Sequence, residues 1–176
     1  TNAATFSNSG YVTFGNATGD TTTFTGGVTA TAPSQVNLAG SVQTTNTTMT
    51  LGDAGTPIVL DANTTLSGNT AGDIALGGTV NGAYSLTANT TGDTTFTLAV
   101  GGSTALSSLT TNSGGTTYIN GGAVTTSGTQ TYNDAIVLGA NTTITTTNSD
   151  ISFASTIGGG TYNLTLDAGS GGSITS

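Results

Sequence analysis

Eight aspartates carry the whole formal charge of −8 on this 176-residue chain, and beside them only five tyrosines hold a titratable group. Lysine, arginine, histidine, glutamate, cysteine and tryptophan are absent. Two chemistries remain open to such a set. A pair of carboxylates flanking a sugar could cleave a glycosidic bond, and carboxylates with backbone carbonyls could hold calcium. Neither has its spacing here. Asp20, Asp53, Asp73, Asp93, Asp134, Asp150 and Asp167 stand far apart, mostly beside glycine or at the head of a strand-like run. No D-x-[DN]-x-[DN]-G loop and no glycine-rich calcium-binding nonapeptide array occurs. Without histidine no base can sit between a serine and an aspartate, and the usual zinc ligands are missing. The chain is therefore expected not to be an enzyme, with no catalytic, cofactor-binding or metal-binding residues and no cofactor. Its aspartates read as turn caps that keep the surface soluble. Asp73 and Asp150, which recur in matching phrases, are where a bound cation would be sought first.

The missing positive charge bears directly on partners. Nucleic-acid binding depends on Lys and Arg neutralising phosphates, so no nucleic-acid partner is expected. Acidic membrane surfaces are disfavoured for the same reason. The longest apolar runs are a few residues, too short for a transmembrane helix. No basic, then apolar leader precedes the pattern, and both ends read as cuts through a continuing repeat.

Three further residue classes could form a recognition surface. Tyr84, Tyr118, Tyr132 and Tyr162 could line up as a sugar-binding stripe, although Tyr84 and Tyr162 open apolar alternations and are expected inside or at a coil edge. Threonine, roughly a quarter of the chain, gathers in runs such as Thr44–Thr48 and Thr142–Thr147. A flat face of such hydroxyls could meet ice, but the sequence spacing drifts and the doublets point to opposite faces of a strand. Asn16, Asn46, Asn63, Asn89, Asn141 and Asn163 open N-x-[ST] sequons, several of which arise by chance in so Thr- and Asn-rich a chain.

The elements that must position these residues follow from a period of two. Tyr11-Val-Thr-Phe14, Val36-Asn-Leu38, Met49-Thr-Leu51, Ile74-Ala-Leu76, Phe96-Thr-Leu98 and Ile151-Ser-Phe153 alternate inward and outward side chains between Gly, Asn and Asp breaks. The reading is all-β, with strands of about four to six residues. A longer repeat overlies it. Ile58-Val-Leu-Asp-Ala-Asn-Thr-Thr-Leu66 returns as Ile136-Val-Leu-Gly-Ala-Asn-Thr-Thr-Ile144, and Asp73-Ile-Ala-Leu returns as Asp150-Ile-Ser-Phe. Residues 1–176 thus form a single continuous segment holding about two and a quarter copies of a unit near 78 residues. That length suits four coils of about 20 residues, so a parallel β-helix, or β-solenoid, is expected. Repeated β-sandwich units are the alternative fold; they would call for a linker between units, and no composition break supplies one.

The phrases "GTQTYNDAIVLGANTT" and "G-x-Y-x-L-T" at Tyr84 and Tyr162, within 40–176, resemble repeats of filamentous-haemagglutinin-like and autotransporter-like bacterial surface exoproteins. The resemblance implies a right-handed parallel β-helix outside the cell, at a bacterial surface. It implies a structural module of a secreted adhesin or surface filament, serving adhesion, aggregation or biofilm structure. The partners it implies are neighbouring repeats or copies of the same protein, with surface glycans as a further class. A carbohydrate- or ice-binding solenoid module is the alternative function.

Overall fold

A computed structural model of the chain describes residues 2–176. The period-two runs become twenty-one strands among the described residues, and every ladder between them is parallel. They wind as a right-handed β-solenoid of eight coils, each about 20–22 residues long. The sandwich alternative does not hold, because it needs antiparallel ladders. Among the described residues the antiparallel pairing is a lone bridge from Asp53 to Thr56.

Each coil crosses three faces in turn. Face one is an eight-stranded sheet running from Ala4–Thr5 through Val28–Ala30, Met49–Leu51, Ile74–Leu76, Thr94–Phe96, Thr116–Ile119 and Ala135–Leu138 to Ile157–Gly158. Face two starts at Val12–Phe14 and ends with Ala123–Thr126, Thr142–Thr146 and Leu164–Asp167. Face three starts at Thr21–Phe24 and ends with Gln130–Tyr132, Ile151–Phe153 and Ile174–Thr175. Two long strands, Val36–Thr44 and Ile58–Ser67, turn the corner from face two to face three without a break. Their register shifts between Leu38 and Gly40. Gly40 takes φ +71° at that bend, and a Cβ there would lie 2.4 Å from the Asp20 carbonyl. Only glycine permits both the angle and the approach.

Alternation within a strand places one side chain in three ladders of stacked neighbours. Up face two, Val12, Val36, Ile58, Val80, Val100, Val124, Ile144 and Leu166 form one interior column. The six between the end coils are fully buried. β-branched side chains suit this column because they pack on a pleated surface with one favoured rotamer. Face one stacks Leu51, Leu76, Phe96, Ile119 and Leu138 in the same way. Each such side chain contributes on the order of 1.5–3 kcal/mol when removed from water, and the core runs the length of the molecule as one cluster.

The long sequence repeat does not keep step with the coils. Ile58–Leu60 lies on face two and Thr64–Leu66 on face three, while the matching Ile136–Leu138 lies on face one and Thr142–Ile144 on face two. Asp73-Ile74 likewise leads into face one, but Asp150-Ile151 leads into face three. The unit therefore spans three and two-thirds coils rather than four. A strand–corner–strand phrase is tolerated on any face, because each face asks only for an inward apolar column and a polar bend.

Phe96→Ala removes a fully buried ring between Leu76 and Ile119. It is expected to lower unfolding free energy by about 3–5 kcal/mol, read from the urea midpoint at unchanged slope.

Candidate functional site

The outward positions of face three bring together what the sequence scatters. Thr21, Ser41, Thr65, Thr87, Thr110, Thr131, Ser152 and Thr175 stand in one register column, one from each of the eight coils. Their sequence steps vary from 20 to 24 residues. The drift that argued against a regular hydroxyl array is taken up at the corners, so the column is regular in space at roughly 4.8 Å per rung. Beside it runs a second polar column, Thr23, Gln43, Ser67 and Asn89. Gln43 Nε2 donates to Thr23 Oγ1 at 2.7 Å, tying that column vertically. The face thus offers hydroxyls in one line and amides or hydroxyls in the next.

Corners hold the rungs in place. A bend exposes backbone N–H groups that no ladder satisfies, and here side-chain carbonyls from an adjacent coil accept them. Asn46 Oδ1 accepts the Thr70 N–H at 2.9 Å, Asn63 Oδ1 that of Ser85 at 3.1 Å, and Asn81 Oδ1 those of Ser103 and Thr104 at 2.9 and 3.1 Å. Asn141 accepts from Asn163 at 2.9 Å, and Asn148 from Ser170 at 2.8 Å. Asn46 and Asn148 do this from left-handed backbone, φ 54° and 55°, which asparagine adopts more readily than other non-glycine residues. Three of the sequon asparagines, Asn46, Asn63 and Asn141, are therefore in structural use.

The aspartates share this work. Asp73 Oδ1 accepts the Asp93 N–H at 2.9 Å, Asp93 Oδ1 that of Thr116 at 3.2 Å, and Asp150 Oδ1 that of Ser173 at 2.8 Å. Asp20 and Asp53 cap their own bends. Asp73 and Asp150 occupy equivalent local settings but sit on different corners, in coils four and seven. Among the described residues no three acidic side chains converge on a point.

Asp134 differs from the rest. It is 3% exposed, accepts the Gly115 N–H at 3.0 Å and the Thr117 hydroxyl at 3.3 Å. Burial pushes its carboxyl above the usual range, against these two hydrogen bonds, and nearby Asp93 pushes the same way. One coil below, Thr94 buries a hydroxyl with no partner. The face-one column is thus locally polar between apolar neighbours. A second buried network lies in coil six. The Tyr132 hydroxyl donates to Gln130 Oε1 at 2.6 Å, and Gln130 Nε2 donates to the Thr145 carbonyl at 2.9 Å. Tyr132 stacks on Phe153 with ring centroids 5.3 Å apart, and its hydroxyl proton is held more tightly than in water because the phenolate would be desolvated.

No tyrosine stripe forms. Tyr132 is in the core, Tyr118 points outward on face one, and Tyr84 and Tyr162 open strands on different faces. Tyr84 and Tyr162, expected inside or at a coil edge, take the edge and are 41% and 47% exposed. Each precedes the first inward residue of its strand and stays on the bend. Tyr11, which sequence reasoning passed over as one of an alternating run, is the most exposed large side chain of the group.

Comparisons with protein-family models, curated proteins and solved structures give no match for this chain. The class that the fold defines is a parallel β-solenoid repeat module, a class consistent with the haemagglutinin- and autotransporter-type repeats without being specific to them.

Asp134 tests the corner electrostatics. A carboxyl whose folded pKa is raised favours folding at pH values below its unfolded pKa and loses that contribution as pH rises through the folded one. Asp134→Asn keeps an acceptor for Gly115 and removes the buried charge. It is expected to raise the thermal midpoint at pH 7, with the gain disappearing near about pH 3, where Asp134 is itself neutral. Calorimetry of both proteins across that range reads the difference.

Proposed function

We propose that the chain is a structural module of a secreted bacterial adhesin or cell-surface filament, acting by extension and attachment rather than by catalysis. The observation that carries this reading is the unbroken vertical series. Each coil is joined to its neighbours by parallel pairing on three faces, and Asn or Asp side chains accept backbone N–H groups across several of the corners. Such a stack gains length with each rung, roughly 4.8 Å, and eight rungs make a rod of roughly 40 Å. The haemagglutinin-like repeat phrases around 128–144 and at Tyr84 and Tyr162 support the same reading. They also support a place outside the cell, with neighbouring repeats as the main partners.

A direct test places the chain between a bacterial outer-surface anchor and a peptide epitope. The epitope is expected to stand off from the surface by roughly 40 Å more than without the insert. Deleting whole coils should shorten that distance stepwise. An unchanged standoff, measured by super-resolution height imaging, overturns the module reading.

The hydroxyl column of face three favours a second reading, that this face binds a polysaccharide. Its neighbouring column mixes Thr, Gln, Ser and Asn rather than repeating threonine, which suits sugar hydroxyls better than an ice lattice. Thr87→Asp with Thr110→Asp charges the middle of the face without touching the core. It is expected to cut co-sedimentation with an insoluble β-glucan at least tenfold; equal binding by both proteins removes this reading.

A further inference from the structure

We infer that the solenoid joins a second copy of the same chain head to tail, the eighth coil of one copy seating the first coil of the next. The inference rests on the structural-module reading and adds the polarity and the contacts of the joint.

The two ends of the core are unlike. At the head, Phe6, Phe14 and Phe24, one from each face, pack edge to face with centroids 5.0, 5.2 and 6.0 Å apart. At the tail the core ends in aliphatic side chains, with Ile157 38% and Ile174 47% exposed. Carrying each ladder one rung further sets tail against head column by column. Ile157 meets Ala4 and Gly159 meets Phe6 on face one. Leu166 meets Val12 and Ala168 meets Phe14 on face two. Each of these two rings faces a glycine or an alanine, and the exposed isoleucine of face one faces an alanine. This is the large-on-small interleaving that close packing requires.

Charge and backbone agree with the packing. Asp167 falls opposite Thr13, so no carboxylate meets another despite the −8 on each copy. On face three Ile174 falls opposite Asp20, whose carboxylate stays turned to the Asn16 and Ala17 N–H groups. Apolar packing at the joint comes from faces one and two. The outer strands of the first and last coils leave alternate N–H and C=O groups unpaired, a template for a further parallel strand. Neither end carries lysine, and proline occurs only at Pro33 and Pro57, away from both edges. Tail-to-tail contact would set the strands antiparallel, and the three parallel registers could not continue.

Cross-linking reads the joint without disturbing the core. Thr13 and Asp167 are exposed, point outward on face two, and sit at opposite ends of the rod. The chain has no cysteine of its own. In the joint their Cα atoms are neighbours across a parallel ladder, within reach of a disulfide. The double variant Thr13→Cys/Asp167→Cys, concentrated and oxidised, is expected to give a ladder of covalent multiples on a non-reducing gel. Each single variant is expected to stay monomeric. Negative-stain images of the wild-type chain should show strings in multiples of roughly 40 Å. Dimers from Thr13→Cys or Asp167→Cys alone would establish like-end contact and overturn the inference. A double variant without multiples, together with single wild-type rods at every concentration, overturns it as well. Single rods that still lift the surface epitope remove the joint and leave the module; strings that fail to lift it do the reverse.

Discussion

Parallel stacking in register is the constraint on which everything else depends. Each residue of this solenoid meets, above and below, the residue one coil away, so each column repeats one chemical choice up to eight times. A column of like charges at that separation would repel through the whole rod. The chain limits that cost by having no basic residue, by carrying only eight carboxylates, of which Asp73 and Asp93 are a directly stacked pair tied by a backbone hydrogen bond, and by filling outward columns with threonine and serine. Its unusual composition is a consequence of geometry before it is a clue to a ligand.

The corners complete the stack. Strands satisfy their backbone groups with the rungs on either side, but each bend leaves N–H groups pointing along the axis. Asn and Asp reach across from the neighbouring coil and accept them. These are charge-assisted or amide acceptors at partly wet positions, each contributing about 0.5–1.5 kcal/mol. Their number makes the ladder cooperative, since removing one rung unpairs the corners of two others. Near-neighbour coupling of this kind is the general physics of solenoids. The same device explains why a phrase such as IVLxANTT serves on face two in one copy and on face one in the other.

Besides buried threonines such as Thr44, Thr56 and Thr64 lower in the stack, two hydrogen-bonded side-chain pairs stand in the interior of its upper half. Asp134 with Thr117, and Gln130 with Tyr132, bury polar groups that hydrogen bonds partly compensate. They fix the register of coils five to seven more narrowly than valine and leucine could, because a shifted rung would leave an acceptor or a hydroxyl orphaned. Below them, the columns of valine, leucine and isoleucine supply stability with less positional demand.

Alternation within each strand was legible from the residues alone. Tyr11-Val-Thr-Phe14 or Ile151-Ser-Phe153 can face a core only one way, because consecutive side chains leave opposite faces of a strand. The all-β class and the turn role of Asn, Gly and Asp followed from local chemistry and composition. Tertiary structure decided what stands above what. The corners between strands differ in length and carry no period, so the sequence could not show that Thr21, Ser41, Thr65 and Thr87 share a column, or that the 78-residue unit shifts by one face. Nor could it place Tyr132 inside and Tyr84 outside, since both occur in similar polar settings and only the depth of the bend separates them. In-and-out is set between adjacent residues, whereas register is set across a whole coil, and that is the physical line between the two kinds of knowledge.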